Sequence, residues 1–349
     1  MRIVYLGPNW GTSKQRADAL RRLNHEVTVI DPWSMLPRSV WTSRFLHHAG
    51  GFGLDYLFAD RLHRIVSESM PELIWVNQGE WFGRRILKHL CQIGVPLVNY
   101  ANDNPFGGKA ANRFNNYIAA IPFYDLHVVT FEENIKQLEA AGANNVMRVF
   151  LCADEVAHTP RSLSAADHEN YCGQVSYISQ WAPERGPFLA KLIELGVPLS
   201  LWGDRWNKAR EWSVIKLHWK GPAIYDGNGF AKVIQCAKIS LCLLSKSNRN
   251  QHTGRSLSIP SLGGLLCAER TDEHKALYAE GIEAVFFDDA EECARLCHEL
   301  LADEPRRKAI AAAGHARALR NGHYNERVMA RILDEAIGRG TSPAQSVGA

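Results

Sequence analysis

The sequence lacks any run approaching the roughly 18 consecutive apolar residues that a membrane-spanning helix needs, so no transmembrane segment is expected. It lacks long basic runs as well. Its 40 Lys and Arg are scattered against 37 Asp and Glu, for a formal net charge of +3, which excludes the extended positive footprint of a nucleic-acid binder. There is no CxxC pair among the eight cysteines, which stand at 91, 152, 172, 236, 242, 267, 293 and 297. Mostly set in apolar runs, they read as reduced core residues of a cytoplasmic protein. Cys293 and Cys297, four apart on a predicted helix, share a face, but no His cluster completes a metal site. The opening MRIVYLGPNW enters a strand pattern directly, without the pattern of a secretory leader. HExxH, GxSxG, a Walker loop and an apolar-flanked DxD are all missing, so serine hydrolysis and metal-dependent chemistry find no support. A metal-free site is the working expectation.

What is present is length, apolar content and rhythm. With 349 residues and 46% hydrophobic content, the chain exceeds one typical domain and predicts two. Short β-rich runs alternate with helical patterns at Ile3–Leu6, Val27–Ile30, Leu73–Val76, Leu97–Tyr100, Leu126–Val129 and Val146–Val149. This alternation predicts a parallel sheet covered on both faces. Thr12 and Gln15 stand at capping-box spacing before the first helix. A polar stretch, Asp154 to Tyr171, predicts the linker. The alternation resumes at Val175–Ile178, Leu199–Trp202, Leu217–Trp219, Ile239–Leu243, Leu265–Cys267 and Ala284–Phe287, and the chain reads as helical from Asp289 to about Ile337, with breaks near Pro305 and Asn321–Gly322. The predicted class is therefore α/β, with two doubly wound domains and ligands at the carboxyl ends of their strands.

The segment from Ser245 to Gly264 follows a buried strand and carries Arg249, His252, Arg255 and several hydroxyls before a short helix. A helix N-terminus at that place offers free N–H groups to a phosphate, and two arginines add bidentate charge-assisted bonds. The structural alternative is a polar loop whose Ser and Thr cap the helix. Arg185, in the QWAPERG turn after the second domain's first strand, is either a further diphosphate contact or a surface arginine. Trp202-Gly203-Asp204-Arg205-Trp206 reads as an aromatic wall or as core. In the first domain, Gly7-Pro8-Asn9-Trp10-Gly11-Thr12 is a strand-to-helix turn that is not GxGxxG, so a dinucleotide fingerprint is poorly supported. Asp31 reads as a turn or helix cap in preference to a ribose ligand. Asp103, in Asn102-Asp103-Asn104-Pro105-Phe106-Gly107, is the best-placed carboxylate of that half, either as a general base or acceptor-hydroxyl ligand or as the start of an Asx-turn.

With these residues in view, the chain resembles the glycosyltransferase family named for the spore-maturation protein CgeB, within the GT-B transferases. The resemblance covers nearly the whole chain. It rests on GTSKQRADALRRLNHEVTVID, NDNPFG, YDLHVVTFEENIKQL, VSYISQWAPER and, most specifically, NRNQHTGRSLSIPSLGGLLCAERTDEHKALYAEGIEAVFF. It implies two facing Rossmann-like domains: residues 1–160 for the acceptor, 172–322 for a nucleotide-diphosphate sugar, and a helix at 323–338 returning to the first domain; the small, polar residues 339–349 read as a disordered tail. The donor, a substrate and not a cofactor, would meet Arg185, Gly203, Arg249, Asn250, Thr253, Arg255 and Ser258. Gly11, Asn102 and Asn104 would stand on the acceptor side, with Asp103 and His252 catalytic and no metal required. The acceptor class stays open among glycan, protein and small molecule.

The sequence departs from the family pattern at two acids. Asn250 stands where an Asp is expected and Ser258 where a Glu is expected, and Ser179 replaces a usual glycine after the strand. Two readings follow: a metal-independent transferase, retaining by resemblance, or a non-catalytic nucleotide-sugar-binding relative. A GT-B-type epimerase is a third, needing acids that the sequence does not supply.

Overall fold

The computed structural model describes residues 1–35, 53–107, 111–224 and 227–340. The chain divides into two compact units. One comprises Met1–Phe150, Ser247–Arg249 and the chain from Asn325 onward; the other comprises Leu151–Lys246 and Asn250–Tyr324. No described helix is long and apolar enough to cross a membrane.

The first unit holds six parallel strands, β1 (Arg2–Leu6), β2 (Glu26–Ile30), β3 (Leu73–Asn77), β4 (Leu97–Ala101), β5 (Leu126–Val129) and β6 (Val146–Arg148), in the order β2-β1-β3-β4-β5-β6. The chain reverses its winding between β1 and β3, the place where an open α/β sheet leaves a crevice at its carboxyl edge. β3 and β4 are buried along their full lengths, as strands covered by helices on both faces must be. Tyr5, Trp75 and Tyr100 stack in sequence across β1, β3 and β4, with centroid separations of 6.1 and 5.9 Å. The last helix, Asn325–Gly340, belongs to this unit and packs on the helix Gly11–Arg22, where Arg22 pairs with Glu326.

The second unit repeats the design with β7 (Val175–Ile178), β8 (Leu199–Trp202), β9 (Trp219–Gly221), β10 (Ile239–Cys242), β11 (Leu266–Glu269) and β12 (Val285–Phe287). Their order is β12-β11-β10-β7-β8-β9, so its switch point lies between β7 and β10.

Several expected boundaries move. The units part at Phe150 and Leu151, earlier than 160. The expected linker contains a helix, Ala165–Tyr171, started by a reciprocal Ser164–Asp167 capping box that its polar composition concealed. Thr12 and Gln15 do not form a capping box: the first helix begins at Gly11, with Trp10 as an N-cap lacking a side-chain bond. The strand expected at Leu217–Trp219 runs instead from Trp219 to Gly221, after a register shift against β8. Of the expected tail, 341–349 lies outside the described residues, while the last helix extends to Gly340.

Three imidazoles are held neutral inside the units. Burial lowers His127, His158 and His274 each to about 4. His127 donates to the Ile121 carbonyl at 3.0 Å and accepts from the Tyr117 hydroxyl at 2.9 Å. In the unfolded chain these rings titrate near 6.5, so between the two values the unfolded chain binds more protons. Their contribution to stability is present above about pH 6.5 and is lost as pH falls toward 4, by up to about 3 kcal/mol per ring. Thermal midpoints measured between pH 7.5 and 4.5 are expected to fall already below pH 6.5, ahead of the carboxylate range, and a flat profile down to pH 5 would contradict this account.

Candidate functional site

In the second unit, two arginines reach one point at the switch between β7 and β10. Arg185 opens the helix Arg185–Glu194 after β7, and Arg255 lies in the first turn of the helix Gly254–Ser261 after β10. Arg185 is only 7% exposed. Its Nη1 donates to the Ser179 hydroxyl at 2.7 Å and to the Gln180 carbonyl at 2.9 Å. Arg255 Nη1 donates to the same hydroxyl at 3.2 Å and to the Ile178 carbonyl at 3.1 Å, while Nη2 reaches the Leu243 carbonyl at 3.2 Å. The Nε of each is buried without a partner. Among the described residues neither guanidinium forms an ion pair. Both cations are therefore held by neutral oxygens only, a costly arrangement unless an anion completes it. Nearby, burial holds the Glu269 carboxyl above its ordinary range, with Lys246 and Arg185 opposing that rise.

The other donor-side residues have specific places. Thr253 caps the helix Gly254–Ser261, accepting from the Arg255 N–H at 3.2 Å while its own N–H donates to the Ser256 hydroxyl at 3.0 Å. The hydroxyl-capping reading thus holds for Thr253 while Arg255 turns into the cradle. Ser258 is buried in the same helix, and the Asn250 amide donates to the His252 carbonyl at 3.2 Å. Arg249 differs from expectation: it is exposed, at φ +54°, and falls with the first unit, so the second unit's cradle consists of Arg185 and Arg255. His252 is buried with both ring nitrogens engaged, Nδ1 by Glu273 and Nε2 by the Leu151 N–H at 2.9 Å. That pattern fixes the imidazole in the frame of the loop.

Gly203 earns its place by contact. Its φ is +154°, and a Cβ there would lie 1.8 Å from the Ser179 carbonyl oxygen and 2.6 Å from the Trp206 indole nitrogen. Trp206 is core, donating to that same carbonyl at 2.8 Å. Gly203 thus lets the end of β8 lie against the segment that carries Ser179.

In the first unit, a cavity of about 410 Å³ opens at the carboxyl edge, lined among others by Trp10, Arg16, Gln78, Glu80, Trp81 and Asn102. Arg16, buried in the first helix, donates Nη2 and Nε to Asn77 Oδ1 at 2.9 and 3.2 Å and lies 4.6 Å from the Tyr100 ring centroid. Gln78 accepts from the Asn102 N–H at 2.7 Å and donates to Asp103 at 2.9 Å. Asp103 also pairs with Arg113 and accepts from Asn248 at 3.3 Å. It is a junction of the loop, and the cavity's lining carboxylate is Glu80. Burial pushes the Glu80 carboxyl up and Asp103 adds to the rise, while Arg113, 3.6 Å away, opposes it. Asn104 is buried, bonded to Glu133, Asn134 and the Phe106 N–H. Gly11 opens the first helix at φ +58°.

All eight cysteines are free thiols. Cys267 joins Cys293 and Cys297 in a buried group, and His168, Cys172 and Cys236 form a second. Cys91 and Cys172 are exposed, contrary to the expected core placement.

Residues 185–334 match the family model described as glycosyl transferase-like. The sequence has no significant match among curated proteins. Among solved structures, the fold is similar to HepE from Anabaena in complex with UDP-glucose, at 14% identity over 96% of this chain and 100% of that one, with a TM-score of 0.70. It is similar to sucrose-phosphate synthase from Thermosynechococcus elongatus, at 11% identity over 97% and 100% of the chains, TM-score 0.70. It is likewise similar to α,α-trehalose 6-phosphate synthase from Burkholderia multivorans, at 12% identity, 99% of each chain and TM-score 0.64. The chain has the GT-B fold, with a glycosyl transferase-like domain in its second half.

Gly203→Ala is expected to destabilise the second unit by about 3 kcal/mol, because backbone and indole both block the added methyl. A urea midpoint equal to that of the parent chain would show that the β8 end can move aside.

Proposed function

We propose that this chain is a glycosyltransferase that takes a nucleotide-diphosphate sugar on its second unit and an acceptor on its first. The observation that carries the reading is the convergence of Arg185 and Arg255 on Ser179, two cations without a carboxylate partner among the described residues at the sheet's switch point. A diphosphate supplies the anion that this arrangement calls for. In transfer, the bond between the anomeric carbon and the distal phosphate oxygen breaks, and the nucleoside diphosphate leaves with the electron pair. The acceptor oxygen bonds to the anomeric carbon as its proton is released. Charge builds on the leaving diphosphate, where two fixed guanidiniums stabilise it most. These arginines take the role of a divalent cation, so the reaction is proposed to need none.

The UDP-glucose held by HepE makes a UDP-sugar the first donor to test. The narrower resemblance to the CgeB branch, with retention at the anomeric carbon, belongs to the same proposal. Eight free thiols fit a reducing, cytoplasmic setting. The second reading, a binding module without turnover, draws on Asn250 and Ser258, which offer no carboxylate where the family has two.

A thermal-shift screen with UDP-sugars, run with and without EDTA, tests the proposal. A bound donor at 100 times its dissociation constant stabilises by about 2.7 kcal/mol, and the shift is expected to survive EDTA and to vanish in Arg185→Ala and Arg255→Ala. Release of UDP on prolonged incubation distinguishes the transferase from the binding module. An undiminished shift in the double arginine variant would remove the phosphate site from this cradle.

A further inference from the structure

The first unit's cavity has a chemistry of its own. Its volume of about 410 Å³ falls in the range of small-molecule sites, about 300–1,000 Å³. Two indoles line it: Trp10, which is 64% exposed at the start of the first helix, and Trp81, in the loop after β3. An exposed indole beside a second one at a cavity offers apolar ring faces that a ligand can cover. Around the indoles stand the Asn102 amide and the Glu80 carboxyl, planar groups suited to hydroxyls, and the Gln78 amide, whose Nε2 has a second N–H beyond the one given to Asp103.

Charge decides between kinds of ligand. Arg16 and Arg113 bring two positive charges to the lining, but Arg113 pairs with Asp103 and lies 3.6 Å from Glu80. Two cations and two carboxyls leave no net charge to attract an anion, unlike the arginine cradle of the second unit. Apolar ring faces together with paired hydrogen-bonding groups and electrical neutrality match a neutral polyhydroxylated ring.

We infer that this cavity is a saccharide site, in which Trp10 and Trp81 cover the C–H face of a neutral sugar while Gln78, Glu80 and Asn102 hold its hydroxyls. The inference rests on the proposed transferase reading for one point only, that the bound sugar is the acceptor. The acceptor is then a glycan or glycoside, in preference to a phosphorylated compound.

Saturation-transfer difference NMR on the full chain tests it, with and without UDP, using methyl α- and β-D-glucopyranoside, their galacto and manno counterparts and maltose as probes. Glucose 6-phosphate is the charged control. Neutral glycosides are expected to give signals that weaken by about tenfold in affinity in Trp10→Ala, a loss of about 1.4 kcal/mol, with a similar loss in Trp81→Ala. Because Trp10 is mostly exposed, its variant reports on binding and not on folding. The thermal shift with UDP-glucose should be unchanged in both variants. A failed shift in the parent chain would sink the donor reading and leave the saccharide result legible. Absence of signal from every neutral probe, a stronger signal from glucose 6-phosphate, or signals equal to the parent's in both tryptophan variants would overturn the inference.

Discussion

Two guanidinium groups donating to one serine hydroxyl is the arrangement on which the chemistry proposed for the second unit depends. Like charges are brought close in a partly dry place, and the oxygens around them are neutral: the Ser179 hydroxyl and the carbonyls of Ile178, Gln180 and Leu243. The repulsion is tolerated because both side chains are anchored from behind by rigid strand ends. Each nitrogen that bonds a carbonyl at the end of β7 or after β10 fixes the direction of its neighbours. The fold supplies this geometry through topology: in the order β12-β11-β10-β7-β8-β9, helices after β7 and β10 start side by side at one edge. Arg185 and Arg255, 70 positions apart in sequence, become neighbours because the winding reverses there.

Supporting residues then take on defined meanings. Gly203 is bare because the Ser179 carbonyl occupies the space of a Cβ, and Trp206 holds that same carbonyl from the core. Thr253 and Ser256 lock the start of the helix that presents Arg255, and the Ser256 hydroxyl is in turn 2.7 Å from His274. His274, kept neutral by burial, donates from Nδ1 to the Glu269 carbonyl at 2.6 Å. A chain of neutral hydrogen bonds thus runs from β11 to the arginine cradle. Its neutrality keeps a further positive charge out of the chain of bonds that ends at two arginines without an ion pair among the described residues.

Much of this was legible in the sequence. The alternation of β-rich and helical runs located eleven of the twelve described strands, because parallel strands covered by helices are written as short apolar runs between helical patterns; the more exposed β9 lies two residues beyond its expected place. Arg185 and Arg255 stood out because each follows such a run and precedes a helix start. The signal failed where tertiary packing decides. Arg249 shares the composition of its loop with Arg255, yet it is exposed, at positive φ, and belongs to the other unit. His252 offered a titratable ring in a suggestive motif, but Glu273 and the Leu151 N–H take both nitrogens, and neither partner is near it in sequence. The helix Ala165–Tyr171 was hidden in a polar stretch whose Ser164 and Asp167 were themselves the capping signal.

The first unit shows the harder case. Asp103 was the conspicuous carboxylate, since it ends a buried strand, yet Gln78, Arg113 and Asn248 all converge on it and make it a structural junction. Glu80, three residues after β3 in a stretch with no motif, is the carboxyl that lines the cavity. The cue in the sequence was Gly79, a turn residue just past an apolar run; in the structure it and Gln78 both take positive φ, uncommon for a non-glycine residue. That turn carries Glu80 and Trp81 off the strand axis and into the crevice at the switch point. The two units therefore answer the same topological position with opposite electrostatics: unpaired cations at β7 and β10, and compensated charge with indoles at β1 and β3. On the proposed reading, a nucleotide diphosphate suits the uncompensated cations of the second unit and a neutral sugar the compensated lining of the first.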